Sequence, residues 1–365
     1  MDKFQIFLAA IPGLEEPLRA EALDAGFHSP RIIPGGVIFD GTWQHVWRAN
    51  LHLRGAVRVL ARVAVFKAHH LKQIEPETRA IDWPRLIPEG TAFHVEATCR
   101  KSRLNHAGAV AQRIAAGIAS ACGAALSEDK DTLRIMARVE KDFVTLSLDT
   151  SGAPLHKRGH KEAVGKAPLR ETIAAMALRL MNFSGHETLV DPMCGSGTFP
   201  IEAAEIAAGL APGRTRSFSF EQLKSFDAQA WDALKDAPAS PGARMFHGFD
   251  RDAGAIAGAK ANAARAGVSE ACAFAQAPLA AQSRPAGPPG LIMVNPPYGT
   301  RIGDRRALFA LYGALGQTMR AQYSGWRFGM ITSDGGLAKA TGLTLDASEP
   351  IAFGGLKVKL YSAQL

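Results

Sequence analysis

The sequence contains few cysteines, and the four it has are far apart. Cys99, Cys122, Cys194 and Cys272 form no Cys-x-x-Cys pair, which is the spacing that zinc sites and dithiol redox motifs use. We therefore expect neither a metal site nor a disulfide framework, and a cytoplasmic location with reduced thiols fits best. Long apolar runs are also lacking, because no stretch approaches the roughly eighteen uninterrupted apolar residues of a membrane-spanning helix. No membrane span is expected.

Positive charge is concentrated in one short segment of the chain. The net charge is +8, and half of it falls within residues 151–185, which hold six Lys and Arg against two Asp and Glu. That segment includes the run His156-Lys157-Arg158-Gly159-His160-Lys161. A local excess of positive charge favours contact with nucleic-acid phosphates, and the alternative is a solvated basic linker.

Hydrophobic periodicity divides the 365 residues into two regions, and a chain of this length typically forms two domains or three. Up to about residue 150, alternating strands and amphipathic helices indicate an α+β region. Beyond about residue 165, buried strands are predicted at 188–191, 245–250, 271–275, 291–294 and 327–332, with helices between them. This pattern, closed by an antiparallel hairpin, predicts a doubly wound α/β domain. An insertion at 211–244, rich in Pro, Ser and Phe, separates its first two strands.

A glycine-containing turn, residues 191–198 with the sequence Asp-Pro-Met-Cys-Gly-Ser-Gly-Thr, follows the first strand of the α/β region. Glycines let a backbone approach a ligand closely, and the turn leads into a helix N-terminus. A dinucleotide site is disfavoured because Pro200 replaces the third glycine of Gly-x-Gly-x-x-Gly, and a P-loop is excluded because no Gly-Lys-Ser/Thr follows. An acidic residue ending the second strand can hold ribose hydroxyls, and Asp250 is favoured over Asp252 for this role. S-adenosylmethionine is the favoured cofactor.

The motif Asn295-Pro296-Pro297-Tyr298 follows the apolar strand 291–294. Two prolines stiffen this backbone because each fixes its own φ and restricts the residue before it. The Asn295 side-chain oxygen and the Pro296 carbonyl can accept the N–H groups of an exocyclic amine, and Tyr298 can stack on the base. Methyl transfer to such an amine depends on positioning more than on acid–base chemistry. The motif therefore predicts methylation of a nucleobase that has left its stack, with a merely rigid loop as the alternative.

Four segments together resemble the THUMP-domain class I RNA methyltransferases, and most closely the bacterial enzymes that methylate guanine N2 in ribosomal RNA. They are residues 155–160, 167–172, 191–198 and 295–299. The resemblance covers nearly the whole chain and is most specific from about 155 to 335. It implies an N-terminal ferredoxin-like region at 1–54 and a THUMP RNA-binding domain at 55–154. At 155–365 it implies a Rossmann-like methyltransferase domain with a mostly parallel seven-stranded sheet.

The resemblance also implies roles for individual residues. The catalytic set is Asn295, Pro296, Pro297 and Tyr298. The S-adenosylmethionine site takes Asp191, Pro192, Cys194, Gly195, Gly197, Thr198, Asp250, Arg251 and Gln276. Gln276 stands where related enzymes often have an acidic residue facing the adenine. RNA contacts are expected from Arg100, Lys101, Arg103, Lys157, Arg158, Lys161, Lys166 and Arg170. For Lys166 and Arg170, a cap on the cofactor site or a structural salt bridge is the alternative.

These inferences predict an S-adenosylmethionine-dependent RNA methyltransferase that converts guanine to N2-methylguanine in large-subunit ribosomal RNA. Three alternatives stay open: the same chemistry on transfer RNA, N6-adenine methylation of DNA, and a catalytically silent RNA-binding protein. The RNA-directed N-terminal region argues against DNA as the substrate. The intact glycine turn and Asn-Pro-Pro-Tyr motif argue against a silent protein.

Overall fold

The structure is a computed structural model that describes residues 3–162, 169–235, 245–298 and 305–365. These residues form two units by their contacts. The first comprises Met1–Ala10, Arg19–Leu155 and Arg216–Ala237, and the second comprises Ile11–Leu18, His156–Thr215 and Pro238–Leu365, each where it is described. No helix in the described ranges is long and apolar enough to cross a membrane.

The first unit is built on an eight-stranded sheet with the order β2-β3-β1-β4-β8-β7-β5-β6. Its strands are β1 (Phe4–Ala9), β2 (Arg31–Ile33), β3 (Gly36–Gly41), β4 (Arg58–Lys67), β5 (Ala92–Arg100), β6 (Ala125–Leu126), β7 (Leu133–Glu140) and β8 (Phe143–Asp149). Neighbours are antiparallel, except that β5 runs parallel to β6 and β7. Buried and half-exposed residues alternate along β7, so one face of the sheet carries the core and the other is more polar.

The helices of the N-terminal region are α1 (Glu15–Asp24), α2 (Trp43–His52), α3 (Leu71–Arg79) and α4 (Ala107–Cys122). The sequence does not predict α3, because Pro76 lies inside it and proline removes a backbone hydrogen bond. Close packing on α4 explains its presence. A Cβ added at Gly117 of α4 would lie 2.9 Å from the Glu75 carbonyl oxygen of α3. Tertiary contact therefore stabilises a helix that its own sequence disfavours.

Part of the insertion belongs to the first unit rather than to the α/β unit that surrounds it in the sequence. This part includes α7 (Ala228–Lys235). Phe220 is fully buried here, with its ring centroid 5.2 Å from that of Phe218, 5.0 Å from Trp231 and 6.1 Å from Trp47 of α2. An aromatic cluster thus joins the segment to the N-terminal helices.

The second unit is a doubly wound sheet with the order β11-β10-β9-β12-β13-β16-β14, and β15 pairs with β16. Its strands are β9 (Leu189–Asp191), β10 (Phe246–Asp250), β11 (Cys272–Gln276), β12 (Leu291–Val294), β13 (Arg327–Thr332), β14 (Asp346–Ala347), β15 (Ile351–Phe353) and β16 (Leu356–Gln364). Its helices are α5 (Glu171–Leu180), α6 (Thr198–Ala207), α8 (Ala253–Ala266), α9 (Arg305–Gln322) and α10 (Gly335–Ala340). Five neighbouring strands of the sheet are parallel: β11, β10, β9, β12 and β13. Strand β16 is antiparallel to β13 and to β14. This arrangement agrees with the predicted α/β domain.

The central strands are apolar along their whole length because both of their faces are covered. All four residues of β12 are buried, as are those of β9. The core on one side brings Ile292 and Val294 together with Tyr312 and Met319 of α9. These rigid strands end at the two sequence motifs, so the core fixes where the motifs lie.

Candidate active site

The glycine turn and the Asn-Pro-Pro-Tyr motif lie at the same edge of the sheet. β9 and β12 are parallel neighbours, with Leu189 opposite Leu291 and Val190 opposite Ile292. On its other side β9 pairs with β10, so the chain runs from β9 to β10 in one direction along the sheet and from β12 to β13 in the other. Open α/β sheets bind ligands at such a switch point, beyond the carboxyl ends of the strands. Neighbouring strands are about 4.8 Å apart, so ligands of the two motifs can meet there.

The two glycines of the turn serve different purposes. Both have positive φ, +52° at Gly195 and +81° at Gly197. A Cβ added at Gly195 would meet nothing within 4 Å, whereas one at Gly197 would lie 3.0 Å from the Phe274 ring and from Ala259 Cβ. Gly197 therefore allows α6 to pack, and Gly195 leaves open space beside a backbone that a ligand can approach.

Asp250 and Asp252 point to different partners. Asp250 Oδ2 accepts the Gly195 N–H at 3.0 Å, and its Oδ1 accepts the Asp252 N–H at 2.9 Å. Asp252 Oδ1 instead accepts the Ala255 N–H at 2.8 Å and caps α8. The carboxylate that contacts the glycine turn is therefore that of Asp250, whereas Asp252 caps α8.

Asp191 and Cys194 are buried within the turn. Asp191 Oδ1 accepts the Met193 N–H at 3.0 Å, and burial, with Asp250 nearby, raises the pKa of its carboxyl well above the usual value. Burial likewise raises the pKa of the Cys194 thiol well above its ordinary value. A thiol that resists ionisation is a poor nucleophile, so Cys194 acts as a packed turn residue.

The sequence places the expected adenine side of the cofactor site at the chain leaving β11. Gln276 is exposed, and its Nε2 donates to the Arg251 carbonyl at 3.1 Å. Gln282 is buried, and its Nε2 donates to the Pro192 carbonyl at 2.9 Å and the Ala277 carbonyl at 3.2 Å. Gln282 therefore links the glycine turn to the end of β11. The sequence reasoning did not identify it, because a glutamine in a loop gives no pattern.

The Asn-Pro-Pro-Tyr loop, residues 295–298 (the reacting loop), carries an unpaired buried oxygen. Asn295 Oδ1 is inaccessible to solvent and has no hydrogen-bond partner among the described residues. Tyr298 is half-buried against the core of the second unit, and burial raises the pKa of its phenol to about 12. An unpaired buried acceptor is costly, so this oxygen is suited to a donor supplied by a ligand. The open space at Gly195 and this oxygen together fit a nucleoside cofactor and an amine-bearing base.

The basic segment before α5 corrects two predicted RNA contacts. The Arg158 side chain is 2% exposed and its Nη2 lies 3.4 Å from the buried Glu202 carboxylate. Lys161 Nζ lies 3.2 Å from Glu171 and donates to Thr198 Oγ1 at 2.9 Å. Both cations are therefore held inside the second unit by α5 and α6. They are neither exposed RNA contacts nor part of a solvated linker.

The remaining predicted RNA contacts fall into two groups. Lys157 and Arg170 are exposed, and Lys166 lies outside the described residues. Arg100, Lys101 and Arg103 are exposed at and just beyond the end of β5. The loop that carries them is anchored, because Asp142 Oδ1 accepts the Ser102 hydroxyl and the Arg103 N–H, each at 2.8 Å.

Comparison with protein families identifies three regions. The RlmL ferredoxin-like domain matches residues 5–60, the THUMP domain matches 68–149, and the RMKL-like methyltransferase domain matches 158–360. Proteins named ribosomal RNA large subunit methyltransferase K/L are similar in sequence. That of Marinomonas sp. (strain MWYL1) is 33% identical over 97% of this chain and 52% of its own length, and that of Vibrio campbellii is 33% identical over 88% and 48%. The chain thus spans about half the length of these relatives.

Solved structures agree with this assignment. A "possible methylase" from Clostridium difficile 630 has a TM-score of 0.90 at 31% identity, covering 100% of this chain and 98% of that one. SMU.472, solved in complex with SAH, has a TM-score of 0.91 at 29% identity with the same coverage. TrmN from Thermus thermophilus, at 20% identity and a TM-score of 0.76 over the full length of both chains, shares the fold. The expected class I methyltransferase fold with an N-terminal THUMP region is confirmed, and the chain belongs to the RMKL-like methyltransferase-domain family.

Proposed function

We propose that the chain is an S-adenosylmethionine-dependent methyltransferase that modifies the exocyclic N2 of a guanine in large-subunit ribosomal RNA. The observation that carries this proposal is the buried, unpaired Asn295 Oδ1 at the end of β12, beside the glycine turn at the end of β9. The names of the K/L relatives and the SAH bound to SMU.472 support it. A cytoplasmic location follows from this substrate.

The cofactor side of the proposal rests on the glycine turn. Gly195 gives the ligand access to the backbone, Asp250 accepts the ribose hydroxyls, and Gln276, whose Nε2 is bonded to the Arg251 carbonyl, contacts the adenine through its amide oxygen. The other residues assigned to this site are Pro192, Cys194, Gly197, Thr198, Arg251 and Asp191. When bound, S-adenosylmethionine supplies the electrophilic methyl group, and the protein supplies its orientation.

The chemistry required of the reacting loop is positional. Asn295 Oδ1 and the Pro296 carbonyl accept the two N–H groups of guanine N2, which favours a pyramidal nitrogen with its lone pair directed at the methyl group. Tyr298 stacks on the base and holds it outside its own stack. An amide cannot act as a base near neutral pH, so Asn295 orients the amine and leaves its final proton to solvent.

The RNA side of the proposal rests on exposed residues at the end of β5 and in the loop that follows it. Arg100, Lys101 and Arg103 provide cations for phosphates. Nearby on the same sheet, Lys67 lies opposite Phe143, its Nζ 5.9 Å from the ring centroid, and the ring is 49% exposed. Exposed aromatic rings flanked by cations suit unpaired bases. Lys157 and Arg170, which are exposed in the second unit, are further proposed RNA contacts.

One alternative has a specific observation behind it. A Listeria monocytogenes protein described as a predicted N6-adenine-specific DNA methylase has a TM-score of 0.87 at 31% identity. The exocyclic amine of adenine, which accepts the methyl group in such a reaction, would suit the same Asn-Pro-Pro-Tyr loop. The THUMP match and the basic loop after β5 favour RNA over DNA, and the K/L names favour ribosomal over transfer RNA.

In the test, the protein is incubated with labelled S-adenosylmethionine and, separately, with protein-free large-subunit ribosomal RNA, transfer RNA or duplex DNA. Mass spectrometry then identifies the methylated nucleosides. N2-methylguanosine should form in ribosomal RNA. Asn295→Ala should slow this reaction by on the order of 100-fold while cofactor affinity, measured by calorimetry, stays unchanged. Methylation of adenine or of transfer RNA instead would replace the proposed substrate, and a fully active Asn295→Ala variant would refute the role of that oxygen.

A further inference from the structure

A buried tyrosine contacts the reacting loop from behind. Tyr312 of α9 is fully buried, and its hydroxyl lies 3.3 Å from the Pro297 carbonyl and 3.2 Å from Thr332 Oγ1 at the end of β13. The sequence gives no signal for this contact. Tyr312 stands among the apolar positions of α9, where an aromatic residue is expected merely to fill the core.

The partners limit the directions of the hydrogen bonds. The Pro297 carbonyl can only accept, whereas Thr332 Oγ1, which accepts the Asp334 N–H at 3.3 Å, can either accept from the phenol or donate to it. When the single phenol hydrogen goes to Pro297, the threonine hydroxyl donates to the Tyr312 oxygen. Burial raises the pKa of Tyr312, so the phenol keeps this hydrogen at every working pH. In that arrangement a chain of three donors runs from the end of β13 to the loop after β12.

The Pro297 carbonyl is an effective point at which to hold this loop. Prolines have no N–H, so within residues 295–298 only Asn295 and Tyr298 have backbone donors. The carbonyl of Pro297 belongs to the peptide plane that precedes Tyr298. Since both prolines have fixed φ, fixing that plane limits the orientation of Tyr298 on one side and of Asn295 on the other.

We propose that Tyr312 is a positioning residue that holds the Asn-Pro-Pro-Tyr loop in the geometry needed to receive the amine. The catalytic part of this inference rests on the proposed function, while the structural part does not. In this inference Tyr312 acts through its hydrogen bond to the Pro297 carbonyl rather than on the reacting atoms.

The protein offers a matched control for this hydroxyl. Tyr323 is also fully buried in the core of the second unit, where it contacts Trp326. Its hydroxyl has no hydrogen-bond partner among the described residues. Tyr312→Phe and Tyr323→Phe therefore remove the same atom from comparably buried rings, and only the first removes a bond to the loop.

The experiment measures three quantities in the full chain: single-turnover methylation of protein-free ribosomal RNA, S-adenosylmethionine affinity, and amide hydrogen exchange at Tyr298. Tyr312→Phe should slow methylation about tenfold, the equivalent of one hydrogen bond, and speed exchange at Tyr298 several-fold. Cofactor affinity should stay within twofold. Tyr323→Phe should change none of the three. Thr332→Val keeps the Tyr312–Pro297 bond and removes only the second partner of the phenol, so its effects should be smaller than those of Tyr312→Phe. Thr332→Ser, which keeps the hydroxyl, should resemble the unmodified protein.

Each result bears on the inference separately from the proposed substrate. If the unmodified protein does not methylate RNA but Tyr312→Phe still speeds exchange at Tyr298, the loop-holding role stands and the proposed function fails. If Tyr312→Phe and Tyr323→Phe are indistinguishable in both rate and exchange, the inference is overturned. Equal losses of cofactor affinity in both variants would also overturn it, because they would indicate core packing alone.

Discussion

At the scale of single residues, neighbours in the sequence have separate tasks because the backbone directs them apart. Asp250 and Asp252 are two positions apart, yet one receives the Gly195 N–H and the other caps α8. A choice between them on sequence alone rests on strand-end position. The hydrogen bonds distinguish them by showing that Asp250 contacts the glycine turn, whereas Asp252 contacts the first turn of α8.

This separation predicts that alanine substitutions at the two positions affect different properties, cofactor affinity at Asp250 and stability at Asp252. Asp250→Ala should weaken S-adenosylmethionine binding tenfold or more, because it removes a charged acceptor for ribose hydroxyls. Asp252→Ala should lower the free energy of unfolding by about 1 kcal/mol through loss of a helix cap, with affinity unchanged. Calorimetric titration and thermal melting measure the two effects. Retained affinity in Asp250→Ala would exclude the ribose role.

At the scale of elements, the segment before α5 shows how a basic run can be a structural device. Arg158 and Lys161 reach acidic residues supplied by α6 and α5, respectively. His160 lies 3.9 Å from Glu205, and burial lowers its pKa, which favours the neutral imidazole. A buried charge is tolerated where it is paired, so the net positive charge of this run says little about its exposure.

Two adjacent substitutions test this division of the run. Arg158→Gln should lower the free energy of unfolding by about 3 kcal/mol, because it leaves Glu202 without this buried cation. The same variant should bind RNA normally below its melting temperature. Lys157→Gln, at an exposed position, should instead weaken RNA binding, with a smaller dependence of affinity on salt. Filter binding at several salt concentrations measures the second effect, and the reverse pattern would restore Arg158 to the RNA contacts.

Elements with strong periodicity were predictable from the sequence, and those formed by tertiary contact were not. The apolar runs that become β9 and β12 indicate buried strands, and their order along the chain correctly predicts a doubly wound sheet. α3 contains Pro76, and α10 begins with Gly335-Gly336, so neither has a helical pattern. Packing on α4 explains the first, and the Asp334 side chain caps the second. The partners of Arg158 and Tyr312 come from distant elements, which no local pattern reveals.

At the scale of the whole molecule, the two compact units are not continuous segments of the chain. The expected domains at 1–54, 55–154 and 155–365 are continuous segments, whereas the first unit also takes the described part of Arg216–Ala237. Its aromatic residues pack on Trp47 of α2. Removing residues 1–150 to isolate a catalytic domain would therefore expose Phe220 and Trp231, so point substitutions in the full chain are the better test.

Two buried phenylalanines allow that test, because Phe220 of the insertion and Phe246 of β10 are both fully buried. Replacing either with alanine should cost about 3–5 kcal/mol of unfolding free energy. The location of the damage should differ. In hydrogen exchange, Phe220→Ala should lower protection in α2 and leave β9 and β10 protected, although β9 and β10 flank the insertion in the sequence. The Phe246 ring centroid lies 6.1 Å from that of Phe183. Phe246→Ala should therefore lower protection in β9 and β10 and leave α2 protected. Loss of protection in β10 on Phe220→Ala would show that the insertion folds with the sheet that surrounds it in sequence.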